Sequence, residues 1–244
     1  MKPEPTNRAS LLTLRAEMQA LGSPAAAAQS LRFFKTGPGD YGEGDQFLGI
    51  RVPVLRELVR KYRGLPWREA VTLLKSTWHE ERLLALLLWV DAFSRGDATD
   101  REAIHRAYLD HTAFINNWDL VDASAEHIVG GFLYPGGIGL LVDLAGSKNL
   151  WERRIAILST FHYIRRDEFK PTLRIARLLI EDPHDLIHKA VGWLLREVGK
   201  RDQEVEEGFL RVEAWRMPRT MLRYAVERFP EPLRKRYLAM KSAG

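Results

Sequence analysis

Apolar residues recur at helical spacing along almost the whole chain. In segments 83–90, 155–161 and 173–179, leucine, isoleucine and other apolar side chains return every three or four residues, as on one face of an α-helix. No segment alternates apolar and polar residues in the way that a half-buried β-strand would. Short breaks that contain glycine or proline separate the periodic segments. The pattern therefore predicts an all-α protein.

A degenerate motif begins several of the predicted helices. It reads Trp78-His-Glu-Glu-Arg-Leu-Leu-Ala85, Trp118-Asp-Leu-Val-Asp122 and Trp151-Glu-Arg-Arg-Ile-Ala156, with weaker copies that start at Leu186 and Arg219. Spacings of about 33 to 40 residues are typical of stacked helix pairs of the HEAT kind. We therefore predict an α-solenoid of HEAT-like antiparallel helix pairs.

The same pattern predicts how the chain is divided. We expect a single domain over residues 1–244. Within it, residues 1–46 hold N-terminal helices and a glycine-rich loop, and residues 47–244 hold the stacked helix pairs.

Composition and charge narrow the classes of function. The chain has no cysteine, which excludes disulfides, cysteine-ligated zinc and thiol nucleophiles. The longest apolar run, 83–90, is far shorter than the roughly 18 residues that span a bilayer. The polar N-terminus, 1–10, has no signal-peptide core, so we expect a cytoplasmic protein without a membrane partner. A net charge of +5 suits a polyanionic partner such as nucleic acid.

The segment 117–122 carries the most informative candidate chemistry. Trp118 and Asp122 are four residues apart, so on a helix the indole and the carboxylate project side by side. Arg154 and Trp193, on equivalent helices of later repeats, are expected to face the same groove. Aromatic faces, an acid and a guanidinium suit a charged, planar substrate on a phosphate backbone. The structural alternative is a core tryptophan beside aspartates that only cap the helix or pair with an arginine.

Three other patterns have weaker functional interpretations. The glycine-rich segment 37–44 lacks the Gly-Lys-Ser/Thr of a P-loop, so it is a connector or a loop that touches a nucleic-acid backbone. His184 and His188 have the spacing of a zinc-binding helix but no third ligand, and Asp185 is better explained as a helix-start residue. No serine lies in a nucleophile elbow. We therefore expect no metal site and no covalent catalysis.

Four segments, taken in order and spacing, carry a resemblance to a known family. They are Phe47-Leu-Gly-Ile-Arg-Val-Pro53, Asn117-Trp-Asp-Leu-Val-Asp122, Trp151-Glu-Arg-Arg-Ile-Ala-Ile157 and Gly192-Trp-Leu-Leu-Arg-Glu197. Over nearly its whole length the chain resembles the AlkD-type DNA alkylation repair family, the HEAT-like alkylpurine DNA glycosylases. The resemblance implies hydrolysis of the N-glycosidic bond of N3- or N7-alkylated, cationic purines in duplex DNA, which initiates base excision repair.

In that family the equivalents of four residues of this chain form the active cleft. The resemblance implies that Asp122 stabilises the oxocarbenium-like sugar and orients the attacking water. It implies that Trp118 and Trp193 hold the sugar through their indole faces and that Arg154 holds the adjacent phosphate. No metal or cofactor is implied, and a monofunctional hydrolase is expected.

Five further basic residues are candidates for flanking phosphates. Three follow the side of the helix that carries Trp193, and two lie in the last repeat: Lys189, Arg196, Lys200, Arg219 and Arg223. The alternative is an ordinary solvated helix face. A groove that clasps duplex DNA works as a monomer, which is the state we expect.

Two other functions compete with the glycosylase. One is a non-catalytic HEAT-like paralogue that binds damaged or branched DNA, and the other is a protein-interaction scaffold with an apolar groove. Some active members of the family carry a tyrosine in the second N-terminal helix, where Phe33 or Phe34 lies here. The tryptophan–aspartate pair and the N-terminal helices are present, which favours an enzyme.

Overall fold

The helices of this computed structural model form two compact units that meet in sequence after Ser124. The structure describes residues 10–240. Nearly all of the polar N-terminus in which we found no signal peptide lies outside the described residues. The first unit contains seven α-helices among its described residues: α1 (Leu11–Leu21), α2 (Pro24–Phe33), α3 (Val52–Lys61), α4 (Ala70–Leu74), α5 (His79–Arg95), α6 (Ala98–Asp110) and α7 (Trp118–Asp122).

Helix starts in the first unit follow from local side-chain chemistry. Ser10 and Ser23 cap α1 and α2, because each hydroxyl accepts a hydrogen bond from a backbone N–H of the first turn. Asp97 caps α6 in the same way. Pro24 is the first residue of α2, where its missing N–H costs nothing.

Helix α5 forms the centre of the first unit. It packs against α3, α4, α6 and α7. Its long apolar run 83–89 is almost entirely buried, which explains why the run is apolar around the whole helix rather than on one face. Trp89 is fully buried, and its indole N–H donates to the carbonyl of Trp67.

The second unit begins with a π-helical turn and continues as helix pairs. The π-helical turn spans Glu126–Gly130 and runs directly into α8. The α-helices are α8 (Gly131–Leu133), α9 (Gly139–Ala145), α10 (Leu150–Ser159), α11 (Phe161–Ile164), α12 (Lys170–Leu178), α13 (Asp185–Gly199), α14 (Gln203–Glu213), α15 (Arg219–Ala225) and α16 (Glu231–Ala239).

Successive second helices of the repeats pack against one another in this unit. Helix α10 packs on α13 and α13 packs on α15, while α9 and α12 cover α10 and α13 from their own repeats. Gly192 makes the close approach of α13 to α15 possible, because a Cβ there would lie 2.3 Å from the carbonyl oxygen of Met221. This succession of packed helix pairs is what a HEAT-like repeat requires.

The predicted all-α class and its α-solenoid type are confirmed. Residues 10–240 contain no β-strand, and an isolated parallel bridge pairs Gln46 with Trp78. No helix within that range has the length and apolar character to cross a membrane. The organisation as one domain stays a prediction.

Asp185 is the first residue of α13, as predicted for a helix-start residue. His184 caps the helix, because its Nδ1 accepts a hydrogen bond from the N–H of Leu186. The ring of His188 contacts the carbonyl oxygen of Asp182 through Nε2 at 2.5 Å. Both histidines are therefore engaged in local structure at the helix start.

Candidate active site

Helix α7 carries the tryptophan–aspartate pair on a single helical turn. Asn117 is buried and its side-chain oxygen accepts a hydrogen bond from the N–H of Trp118 at 2.8 Å, which fixes the start of the helix. Trp118 is the first residue of α7 and Asp122 is the last, so they stand four residues apart on one helix as predicted. Both side chains are half-buried. An indole and a carboxylate that remain accessible can both meet a ligand.

Aromatic rings from two segments of the first unit, the end of α2 and the loop before α3, pack beside Trp118. We call Phe33, Phe34 and Phe47 the aromatic platform. Phe34 stacks on Trp118 with ring centroids 5.5 Å apart, and on its other side it stacks on Phe47 at 5.2 Å. Phe33 meets Trp118 edge-on at 5.8 Å and is 66% exposed. Phe33 and Phe34 therefore both contact Trp118 directly.

A chain of four charged side chains lies against the platform. We call Arg82, Asp45, His79 and Asp119 the charged chain. Arg82 Nη2 lies 2.6 Å from Asp45 Oδ1, His79 Nδ1 lies 3.1 Å from Asp45 Oδ2, and His79 Nε2 lies 2.8 Å from Asp119 Oδ2. The His79 ring also packs against Phe34 at 4.7 Å and Phe47 at 4.8 Å.

The charged chain holds His79 in its protonated form at neutral pH. The histidine is 2% exposed. Burial alone lowers its pKa, but hydrogen bonds to Asp119 and Asp45 outweigh burial and raise the pKa to about 9. For Asp45, burial favours the neutral acid, yet His79 and Arg82 prevail and hold the pKa of the carboxyl below its usual range. The imidazolium therefore donates to two carboxylates at once.

Glu80, next to His79, fixes the loop that precedes α3. Its buried carboxylate accepts hydrogen bonds from three consecutive backbone N–H groups, those of Leu48 and Gly49 at 2.8 Å and Ile50 at 3.2 Å. Gly49 has a φ of 78°, and a Cβ there would lie 2.2 Å from the carbonyl oxygen of Ser23. The segment 47–53, quoted above for the family resemblance, is thus a carboxylate-bound turn that requires glycine.

A cavity of about 490 Å³ opens beside the aromatic platform. The three phenylalanines of the platform, His79 and Asp119 contribute to its walls. The remaining lining comes from α2, the segment 49–53 and two further residues of α5, Glu80 and Leu83. The cavity lies wholly within the first unit.

The second unit carries the other two predicted site residues. Arg154 on α10 is 5% exposed, and its Nη1 donates to the carbonyl of Leu186 at 2.6 Å, which ties α10 to the start of α13. Trp193 on α13 is half-buried, meets Phe161 edge-on at 5.6 Å, and donates its indole N–H to Glu197. These two residues thus lie on α10 and α13, which pack against each other.

The five residues predicted to bind flanking phosphates have different surroundings. The ammonium of Lys189 lies 2.6 Å from Asp185, and that of Lys200 lies 2.6 Å from Glu197. Arg196 contacts Glu227 closely and lies 3.6 Å from Glu197. Arg219 donates to the backbone carbonyls of Leu238 and Met240. Arg223 is exposed and borders a cavity with Lys189. Their contact with DNA stays a prediction.

Sequence reasoning did not find the charged chain. His79 and Arg82 belong to the repeat motif, and Asp45 follows the glycine-rich segment 37–44. For Asp119 the sequence indicates only a helix cap or a partner for arginine. A signal was present, because His79-Glu-Glu-Arg82 places four ionisable residues directly before the apolar run 83–90 of the same helix. Charged residues are rarely buried unless they are paired.

Comparison with known proteins supplies the family. A family model described as DNA alkylation repair enzyme matches residues 14–229, which is most of the chain. The chain belongs to this family. Membership supports a role in the repair of alkylation damage, with DNA as a partner.

A solved structure has a fold similar to that of this chain. The chain is similar to a protein described as a predicted DNA alkylation repair enzyme from Enterococcus faecalis, with a TM-score of 0.65 and 18% sequence identity. The match covers 86% of this chain and 97% of that one. No curated protein sequence matches the chain.

Across residues 10–240, no group of three or more histidine, aspartate or glutamate side chains is placed to hold a metal ion.

Proposed function

We propose that this protein is a DNA glycosylase that hydrolyses the N-glycosidic bond of N3- or N7-alkylated purines in duplex DNA. The observation that carries the proposal is the pair on α7, an accessible indole and an accessible carboxylate on one helical turn, with the indole backed by the aromatic platform. Family membership supports alkylated DNA as the substrate class of this proposal.

The chemistry of the substrate explains why so few groups suffice. Alkylation at N3 or N7 leaves the purine cationic, so the bond between the base and C1′ of the deoxyribose breaks with its electron pair moving to a good leaving group. Positive charge then develops on the sugar. A fixed carboxylate stabilises that charge more strongly than water does, because it needs no reorganisation during the reaction.

Asp122 is the residue proposed for this role. Its carboxylate stabilises the oxocarbenium-like sugar and orients a water molecule, whose oxygen bonds to C1′ as its proton passes to the carboxylate. Trp118 presents an indole face to the cationic sugar, a favourable cation–π arrangement. The stack of Phe34 and Phe47 behind Trp118 limits the orientations of the indole, which keeps that face in position.

Residues of the second unit are proposed to bind the DNA strand. Trp193 contributes a second indole face, and Arg154 holds a phosphate as a bidentate donor. The buried guanidinium of Arg154 already has one donor fixed by the carbonyl of Leu186, which reduces the conformational entropy lost on binding. Lys189, Arg196, Lys200, Arg219 and Arg223 are proposed to neutralise flanking phosphates.

Release of 7-methylguanine from methylated duplex DNA tests the proposal. We expect Asp122→Asn to lower the single-turnover rate by at least about 100-fold, since it removes the charge but keeps the shape of the side chain. Asp143→Asn is the matched control, because Asp143 is an exposed aspartate on α9 of the second unit. The control should release base at the wild-type rate.

Each other result has a definite meaning. Release that is equal in wild type and Asp122→Asn would retain the enzyme and reject Asp122 as its charged group. Absence of release by the wild type, with alkylated DNA still bound, would replace the glycosylase by the non-catalytic DNA-binding function.

A further inference from the structure

The charged chain joins three segments that are far apart in sequence. Asp45 ends the glycine-rich loop, His79 and Arg82 lie in the first turn of α5, and Asp119 lies in the first turn of α7. We propose that the charged chain is a positioning device in which His79, as an imidazolium, holds the start of α7 and so fixes Trp118 on the aromatic platform. The functional consequence of this inference rests on the proposed glycosylase activity.

The geometry favours control of α7 over a purely local role. Asp119 follows Trp118 directly, so a bond between His79 and Asp119 constrains the backbone that carries the indole. Asn117 precedes Trp118, and its Nδ2 lies 3.4 Å from the other carboxylate of the chain, Asp45. Of the two sequence neighbours of Trp118, Asp119 therefore belongs to the charged chain and Asn117 contacts its Asp45.

The ring of His79 is also in contact with the platform. Phe34 packs against His79 at 4.7 Å and also stacks on Trp118 at 5.5 Å. A displacement of the imidazole ring is thus transmitted to the indole through one phenylalanine as well as through the backbone of α7. Interiors packed this closely pass on small shifts.

The protonation state of His79 decides whether it donates hydrogen bonds to both Asp45 and Asp119 in the charged chain. A protonated imidazole donates from both ring nitrogens, whereas a neutral one donates from a single nitrogen. The charged groups that face the ring are Asp45, Asp119 and Arg82, and two of these three are carboxylates. The carboxylate of Glu80 is directed to the backbone of residues 48–50 instead. Loss of the proton therefore removes one of the two hydrogen bonds that His79 donates to Asp45 and Asp119.

The environment of Trp118 gives a test that needs no DNA. We compare acrylamide quenching of tryptophan fluorescence in wild type and Trp118→Phe between pH 6 and pH 10, and take the difference as the signal of Trp118. The expected result is a rise in the accessibility of Trp118 with a midpoint near pH 9, the pKa of His79. Circular dichroism at each pH confirms that the fold is retained.

Two variants identify the group responsible. Asp119→Asn keeps the shape of the side chain but removes one carboxylate, so the midpoint should move down by about 1–3 pH units. His79→Lys keeps a positive charge with a higher pKa, so the rise should be absent up to pH 10. His79→Gln should show high accessibility at every pH. A wild-type signal that is flat from pH 6 to pH 10 would overturn the proposal, and so would a midpoint near pH 9 that persists in His79→Gln.

Base release measured in parallel separates this inference from the proposed function. If both hold, the single-turnover rate falls above pH 9 in wild type and already at lower pH in Asp119→Asn. A pH-dependent Trp118 signal without base release would keep the positioning device and reject the glycosylase. Base release with a flat Trp118 signal would keep the enzyme and reject the device.

Discussion

Glu80, a buried residue of the first unit, binds three consecutive backbone N–H groups with one carboxylate. Hydrogen bonds to a charged acceptor are among the stronger ones in proteins, and a buried N–H without a partner is costly. The segment 47–53 has no regular structure of its own up to the start of α3, so its backbone groups depend on this side chain. A single residue thus determines the conformation of a loop that borders the cavity.

We expect Glu80→Gln to lower the free energy of unfolding by at least about 2 kcal/mol, because the amide turns an N–H₂ group toward backbone donors. Urea unfolding followed by circular dichroism measures this change. Glu57→Gln on the exposed side of α3 is the control and should change stability by less than about 0.5 kcal/mol. Equal effects of the two substitutions would contradict the assigned role of Glu80.

The raised pKa of His79 predicts how the free energy of unfolding depends on pH. Its pKa is raised from 6.5 to about 9 in the folded protein, so the folded state binds its proton more tightly than the unfolded state. The stabilising contribution is then complete below pH 6.5 and is lost as pH rises through 9. At about 1.4 kcal/mol for each pH unit, the contribution is about 3 kcal/mol.

Urea unfolding of wild type and His79→Gln at pH 6, 7.5 and 9.5 measures this contribution. The stability of wild type should fall between pH 6 and pH 9.5, and the difference between the two proteins should shrink over the same interval. A difference that stays constant with pH would show that His79 does not titrate in this range.

At the scale of elements, α13 and α15 approach too closely for a side chain at their crossing. A Cβ on Gly192 would lie 2.3 Å from the carbonyl oxygen of Met221 and 2.6 Å from the Cβ of Tyr224. Both contacts are with atoms that cannot move independently of α15. Trp193 follows Gly192 directly, so the same close approach determines where this indole lies on α13.

Gly192→Ala should therefore destabilise the protein by about 1–3 kcal/mol, the usual cost of overpacking. Gly208→Ala is a matched control on α14, because a Cβ at Gly208 meets no atom within 4 Å. This control should stabilise the protein by about 0.5–1 kcal/mol, since alanine favours a helix over glycine. Thermal unfolding of both variants compares them. Opposite signs support the packing argument, and equal signs contradict it.

At the scale of the whole molecule, four of the five basic residues proposed to bind flanking phosphates already have protein partners. Lys189, Lys200 and Arg196 each lie beside a carboxylate, so a phosphate must compete with a neighbouring acid for them. Exposed ion pairs contribute little free energy and exchange readily. Arg223, exposed on α15, is the residue from which the clearest electrostatic effect is expected.

Arg223→Ala should weaken binding to duplex DNA and lower the slope of log K against log salt by about one, if one phosphate contact is lost. Arg174→Ala on α12 is the control, since Arg174 is exposed but belongs to a first helix of a repeat. Fluorescence anisotropy over a range of salt concentrations measures both slopes. An unchanged slope for Arg223→Ala, or an equal change for Arg174→Ala, would remove Arg223 from the DNA-binding surface.

The sequence alone was sufficient to predict the all-α class, the helical repeat and the family. Apolar residues at helical spacing are a local property, and burial of one face follows from them wherever the helix packs. Trp118 and Asp122 share α7 for the same reason, because their relation is fixed by the four residues of helix that separate them.

Only the tertiary structure decided which groups meet across the first unit. Asp45, His79 and Asp119 are separated by 34 and 40 residues, and the distances between their side chains depend on how the loop, α5 and α7 pack. The same holds for Gly192, whose need to be glycine comes from α15 and not from its own helix. Spacing along a chain fixes neighbours within a helix, whereas contacts between helices are fixed by the packing of their buried faces. For that reason α7, the helix of the candidate site, could be predicted from the sequence, and the charged chain beside α7 could not.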